Sequence, residues 1–224
     1  ARSNQLINSI DVFGFRSLPI KQKFESLFGN QKNSFMCYSG IPEKLSKYKL
    51  HKKFNSELNS FLFVGALMKR KFPSEIIESL NIVYAKQNFT LDFIGEGHEK
   101  KKIQSKSKKL GLSENVNLHG ELSRDEVWDK MSFADCFVMI SENEAFGLVY
   151  LEAMAAGCIT IASIKEGFDG VIIDGFNGFL CEAGNIQSLS ETIKKINELS
   201  IQEKKEISNN AIFTASKFTN FKTA

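Results

Sequence analysis

Glu144 and Glu152 stand eight residues apart, and the stretch around the second is apolar on nearly every side: Leu148, Val149, Leu151, Ala153, Met154, Ala155 and Ala156. A helix of that composition is buried, and a carboxylate within it has no easy route to solvent. Left unpaired, it would cost on the order of several kcal/mol. It therefore needs hydrogen-bond donors, and ligand hydroxyls are donors of that kind. Glu144 lies in the strand-to-helix loop that leads in. Phe146, Gly147 and Leu148 open the helix, where N–H groups without intrahelical partners can face an anion or a sugar oxygen. Gly147 permits close approach of a ligand to the backbone. The same spacing also suits a plain helix whose two glutamates reach solvent or pair with lysines.

The other chemical candidates are weaker. Gly95-Glu96-Gly97 is a glycine turn at a strand end, but Lys100 stands where the dinucleotide fingerprint places its third glycine. His98 follows that turn and suits either the border of a nucleotide site or a surface helix start. His51 and His119 have no evident partner. Trp128 and the phenylalanines are expected in the core. Cys37, Cys136, Cys158 and Cys181 form no CxxC pair, and three of them fall in or beside apolar strand-like runs. Buried free thiols in a reducing compartment are expected, with a disulfide or zinc site as the alternative.

From Glu144 to Gly157 the sequence EAFGLVYLEAMAAG resembles the E-x7-E motif of glycosyltransferase family 4, the retaining sugar transferases of the GT-B fold. Four further segments are similar to family motifs, in family order. Phe63-Val64-Gly65-Ala66-Leu67 followed by Lys71 resembles its V-G-R-L…K loop. Ile94-Gly95-Glu96-Gly97 resembles its I-G-x-G turn. Val116-Asn117-Leu118-His119-Gly120 resembles the strand before its base-binding loop, and Asp174-Gly175-Phe176-Asn177-Gly178-Phe179-Leu180 its D-G-x-N-G-x-L turn.

The resemblance implies transfer of a hexosyl group, with retention, from a UDP- or GDP-sugar to a saccharide or lipid-linked acceptor. It also implies that neither a metal nor any other cofactor takes part. Glu144 and Lys71 would be the catalytic pair, Glu144 contacting donor-sugar hydroxyls and Lys71 neutralising the diphosphate leaving group. Gly65, Ala145 and the N–H groups of Phe146, Gly147 and Leu148 would line the sugar and phosphate. Glu152 would accept from the ribose hydroxyls, and backbone at Leu122, just past Gly120, would read the base edge. Fixed cations and helix N–H donors do stabilise a departing phosphate.

One departure is plain: Ala66 stands where the family often has Arg. Lys69 or Arg70 is the expected substitute, unless these cations point to solvent. Two rival functions remain. One is an enzyme of the same fold such as a sugar-nucleotide epimerase, whose glutamates sit in different motifs. The other is a degenerate, non-enzymatic module, which Ala66 keeps open.

These residues need a frame. Strand-like runs at Phe61–Val64, Phe89–Ile94, 116–118, Cys136–Ile140, Cys158–Ala162 and Phe179–Cys181 alternate with helical stretches. One helix opens at Pro73, one covers His98–Leu110, and one is capped by Ser123 with Glu126 in a capping box. A fourth spans Gly147–Ala156, and a fifth is capped by Asn185 and ends near Leu199. That alternation predicts an α/β fold, a Rossmann-like parallel sheet with helices on both faces. The ligand site of such a sheet lies beyond the carboxyl ends of its strands. Residues 1–58 read as the remnant of an N-terminal acceptor-binding domain and hinge. They comprise strands at Asp11–Phe15 and Ser34–Tyr38, a helix at Pro19–Phe28, and a polar connector from Pro42 to Ser60. Residues 59–224 read as the donor-binding domain.

Composition narrows the class. The net charge of +3 and pI near 8.6 give no argument for a nucleic-acid partner. No apolar run reaches the ~18 residues of a membrane span. A start at Ala1 without methionine, basic n-region or apolar h-region shows no signal peptide and reads as a piece of a longer protein, expected to be cytoplasmic. Six lysines between Glu99 and Lys109 suit a solvated helix face, or a peripheral contact with the inner face of a membrane.

Overall fold

The computed structural model describes residues 7, 9–46, 52–85 and 89–219; His51 and part of the polar connector lie outside them. A small unit comes first: strand β1 (Phe13–Phe15), helix α1 (Leu18–Phe28) and strand β2 (Ser34–Met36), the two strands paired in parallel. Ser17 caps α1 by accepting from the Ile20 N–H at 3.4 Å, and Pro19 sits in the first turn, where a missing N–H costs nothing. Rings of Phe13, Phe15, Phe24 and Phe28 fill the space between strands and helix. A single helical turn, α2 (Glu43–Ser46), follows.

The main body is one six-stranded sheet. In chain order its elements are β3 (Ser60–Val64), a 3-10 turn (Lys69–Lys71), α3 (Pro73–Tyr84), β4 (Thr90–Ile94), α4 (Lys100–Leu110) and β5 (Val116–Leu118). Then come α5 (Arg124–Phe133), β6 (Cys136–Val138), α6 (Leu148–Ala155), β7 (Ile159–Ser163), β8 (Phe179–Cys181), α7 (Ile186–Glu198) and α8 (Ile201–Ala215). The strand order is β5-β4-β3-β6-β7-β8, and every pairing is parallel. The chain builds outward from β3 to one edge, returns to β6, and builds outward to the other. Right-handed crossovers then place the helices of the two halves on opposite faces. Accordingly α3 packs on α4 and α6 packs on α5, while α7, which follows β8, crosses back to pack on α3, and α8 packs on α6. Every residue of β6 and β7 is buried, as a strand covered on both faces requires.

Expectation and structure differ mostly at element ends. The strand expected over Cys136–Ile140 stops at Val138, the one expected over Ser34–Tyr38 stops at Met36, and His98 lies before the start of α4. Capping by Ser123 with Glu126, and by Asn185, is as expected. Helix α8 is an addition, and its Ser200–Glu203 capping box was present in the sequence. All four cysteines are free thiols, three of them buried.

The connector is anchored on the main body. Lys52 Nζ donates to the carbonyls of Met131 and Ser132 at 2.7 and 2.8 Å, holding the end of α5. Lys204, fully buried, reaches back from α8 to the Ser56 carbonyl at 2.7 Å. At the far end of the chain, the Ile41 N–H donates to the Phe218 carbonyl at 2.9 Å, and Ile41 pairs in parallel with Thr219. No helix among the described residues is long and apolar enough to cross a membrane.

Candidate functional site

Strand order reverses between β3 and β6, so the loops leaving their carboxyl ends diverge and open a crevice there. Backbone bonds lace the loops of the β3 side together. The Gly65 N–H donates to Ile94 O at 2.9 Å, Leu67 N–H to Glu96 O at 2.9 Å, and Gly95 N–H to Gly120 O at 2.7 Å. Gly95 has φ 128, and a Cβ on it would lie 2.3 Å from the Gly65 carbonyl oxygen, so only glycine allows this approach.

Lys71 ends the 3-10 turn. Phe72 then adopts a left-handed conformation, and Pro73 opens α3. This bend turns Lys71 back over Gly65: its Nζ lies 2.6 Å from the position a Gly65 Cβ would take. The side chain is only 9% exposed. Burial pulls the ammonium pKa below its ordinary value; Glu144 opposes that shift and Arg70 adds to it.

Arg70 does not stand free to replace the arginine missing at Ala66, as had been expected of it or of Lys69. Its carbonyl accepts from the Glu142 N–H at 2.8 Å. Its Nη1 donates to the Glu142 carbonyl at 3.1 Å and lies 3.6 Å from Glu144 Oε2. The guanidinium thus ties the β3 loop to the β6 loop across the crevice. Lys69 is exposed.

The β6 loop is fixed from a third side by the loop after β7. The Glu144 N–H donates to Glu166 Oε2 at 2.9 Å, and the Gly167 N–H to the Glu144 carbonyl at 2.9 Å. Phe146 is buried against Phe168 and Tyr38, which leaves only its backbone to a ligand. Ala145 lies with Glu144 along a hollow of about 220 Å³ overhung by Pro19, Ile20 and Lys23 of the small unit, away from Glu152. Gly147 caps α6 with φ 79 and supplies no side-chain acceptor, so the cap gives the first-turn N–H groups no side-chain partner, and the Tyr150 N–H bonds back to the Gly147 carbonyl at 3.0 Å.

Within α6, Tyr150, Leu151, Ala153, Met154 and Ala155 are buried, as the sequence implied. Glu152 has a partner the sequence did not reveal: Arg124 Nη2 lies 3.3 Å from its Oε1. Desolvation raises the Glu152 pKa, and Arg124 works against that rise. Glu152 and Leu148 line a cavity of about 380 Å³, with Leu122, Arg124 and Trp128 among the facing residues. A shallower hollow over Gly65, Ala66, Gly95 and Leu122 adjoins it and shares Val64, Leu122 and Val127. Trp128, expected in the core, touches the core with one side and walls this cavity with the other. His119 also has partners: its Nε2 lies 3.0 Å from Asp92 Oδ1, and Lys130 reaches the other oxygen of Asp92 at 3.0 Å. His98 is exposed. Among the described residues, no group of three or more His, Cys, Asp or Glu is placed to hold a metal ion.

The structure thus brings Gly65, Lys71 and Glu144 together at one end of the crevice and Leu122, Leu148 and Glu152 at the other, with Gly147 at the head of the helix that joins them. Gly120 serves by its backbone. Arg124 and Glu166 were missed, and Arg70 was singled out for another role, since each acts through a partner distant in sequence.

Comparison with known proteins gives this arrangement a family. The sequence model of the family described as glycosyl transferases group 1 matches residues 46–212. An uncharacterized glycosyltransferase of Methanocaldococcus jannaschii is 32% identical over 168 residues, covering 75% of this chain and 45% of its own length. A capsular polysaccharide biosynthesis glycosyltransferase of Staphylococcus aureus is 32% identical over 168 residues, covering 71% and 43%. The chain therefore spans less than half the length of these relatives. Among solved structures, Anabaena HepE in complex with UDP and glucose superposes with a TM-score of 0.79 at 23% identity, over 95% of this chain and 60% of that one. The expected Rossmann-like fold is the fold found, and five motifs, a model across most of the chain and relatives at this identity agree: the chain belongs to the group 1 glycosyl transferases.

Proposed function

We propose that this chain is the donor-binding part of a retaining, metal-independent hexosyltransferase that uses a UDP- or GDP-sugar and a saccharide or lipid-linked acceptor. The observation that carries this reading is the crevice at the strand-order reversal. It holds a buried cation, a helix start without a side-chain cap and a desolvated carboxylate, groups suited to a sugar diphosphate and to the ribose beyond it. Lys71 and the first N–H groups of α6 stabilise charge on the departing diphosphate. Glu144, held by Arg70, presents acceptors to hydroxyls of the transferred sugar, and Glu152 accepts from the ribose. The acceptor is activated by the leaving phosphate itself, in a front-face displacement that preserves the anomeric configuration.

Residues 59–224 form the donor half. Residues 1–58 are the last β-α-β piece of an acceptor-binding half, with its connector, and the rest of that half lies outside this chain. Relatives matched over only part of their length support this division. The S. aureus relative's part in capsular polysaccharide biosynthesis supports a saccharide acceptor, and the UDP and glucose bound by the Anabaena protein support a UDP-sugar.

Calorimetric titration with UDP, GDP and ADP tests the reading, with Glu152→Ala as the control. Saturable binding of one nucleotide, weakened tenfold or more in the variant, is expected. Equal binding by chain and variant would remove Glu152 from the site, and a chain that binds none of the three would favour a degenerate module.

A further inference from the structure

We propose that the hollow beneath α1 is an anion site, and that the acceptor of this transferase carries a phosphate or a carboxylate which Lys23 and Lys165 hold there. The inference deepens the reading of Glu144 as the group that meets the transferred sugar, and rests on it. The hollow, about 220 Å³, lies between two parts of the chain. Its roof is the start of α1, where Pro19, Ile20 and Lys23 are neighbours on one face. Its floor holds Glu144, and the loop after β7 walls it with Lys165 and Glu166. Leu18 Cδ2 lies 3.5 Å from the position a Gly170 Cβ would take, so the start of α1 is seated on that same loop.

The acids of the hollow are engaged. Glu144 Oε2 lies 3.6 Å from Arg70 Nη1, and Glu166 Oε2 accepts the Glu144 N–H at 2.9 Å. The cations are not. Among the described residues, neither the Lys23 nor the Lys165 side chain forms an ion pair or a hydrogen bond. Helix α1 adds to the imbalance, because its first turn carries no acidic residue and the positive end of its dipole lies there.

Two kinds of group therefore stand at different depths. The Glu144 side chain is 15% exposed, whereas both lysines are exposed, so the carboxylate lies inward and the ammonium groups at the mouth. The carboxylate accepts from hydroxyls, and the ammonium groups bind an anion by charge-assisted hydrogen bonds. A neutral saccharide would leave the lysines unused; a hydroxylated phosphate ester or acid uses both. Lys23 comes from the small unit, the part read as belonging to the acceptor half, which puts the charge on the acceptor.

Ligand-observed NMR titration of the chain in excess UDP tests this. Glycerol 3-phosphate and D-glucuronate are the phosphate and carboxylate probes, and glycerol and D-glucose are uncharged counterparts. The series is repeated on Lys23→Gln, on Lys165→Asn (asparagine tolerates the φ of 61 found there) and on the double variant, with UDP affinity measured by calorimetry in each. Saturable binding of at least one anionic probe is expected, and of neither neutral one; the anion that binds identifies phosphate or carboxylate. Its affinity should fall about three- to fivefold in each single variant. It should fall further in the double variant and as salt is raised, with UDP affinity unchanged. Equal binding of neutral and anionic probes, binding of none, or full anion affinity in the double variant would overturn the anion site. A parallel loss of UDP affinity would move the lysines to the donor and overturn their assignment to the acceptor. So would a preference for UDP-glucuronate over UDP-glucose that the double variant abolishes. Failure of UDP alone to bind, with anion discrimination intact, would instead overturn the donor reading on which that assignment rests.

Discussion

Lys71 holds its ammonium over Gly65, with Glu144 and Arg70 near enough to act on its charge, and its burial there counts against folding. Its folded pKa lies below the unfolded value of 10.5. The folded chain therefore binds this proton less readily than the unfolded chain. The resulting penalty is present in full below the folded pKa and fades as pH rises to the unfolded value. Lys71→Met should keep or raise the thermal midpoint at pH 7 while lowering nucleoside diphosphate affinity about tenfold or more. Nucleoside affinity should not change; an equal loss of both, by calorimetry, would argue against a phosphate contact. Glu152 has the opposite sign. Its folded pKa is raised above 4.5, so the carboxylate that accepts from ribose is lost at a higher pH than for an ordinary glutamate. Nucleotide affinity should fall on acidification through that window, and Glu152→Gln should flatten the profile measured between pH 4 and 8. Both glutamates were legible from their spacing and apolar setting. Their partners were not: Arg124 is 28 positions from Glu152 and Arg70 is 74 from Glu144, and only the fold closes those gaps.

At the scale of elements, the strands leading to the crevice announced themselves as short apolar runs closed by glycine, because strands buried on both faces admit little else. Helix α8 escaped notice for a related reason. Two of its inward positions are Lys204 and Ser208, polar residues whose burial is made good by carbonyls of Ser56 and Gly157, each brought near only by folding. The capping box at Ser200 and Glu203 was the local signal that remained. Loop glycines divide by what surrounds them. Gly29 ends α1 at φ 82 and ψ 164 with nothing within 4 Å of a Cβ position, so Gly29→Ala meets only the strain of a backbone region that glycine alone adopts readily, about 1–3 kcal/mol. Gly95→Ala adds a collision with the Gly65 carbonyl, and one of the two laced loops must move. Urea unfolding should show a distinctly larger loss of stability for Gly95→Ala, together with loss of nucleotide binding; Gly29→Ala should bind as before. Similar losses in both variants would count against the close packing of these loops.

For the molecule as a whole, the six-stranded body carries every group assigned to the donor, whereas the small unit offers Lys23 and the first turn of α1 over Glu144 and little else. Several of its apolar side chains, Val12, Leu27 and Phe35 among them, are exposed. A transfer reaction needs an acceptor held in line and water kept out. The chain by itself should therefore bind donor nucleotide yet show no turnover when acceptor saccharides are supplied. Release of nucleoside diphosphate that depends on added acceptor would contradict the proposed division of labour. The bridge between Ile41 and Thr219 has a consequence of another kind. The chain enters the six-stranded body and leaves it at the same spot, so that body is a loop in the chain with touching ends. A segment so closed can be lifted from one protein and spliced into another with a single scar. Donor specificity could in this way be exchanged as a cassette, with the acceptor-binding part of the host left undisturbed.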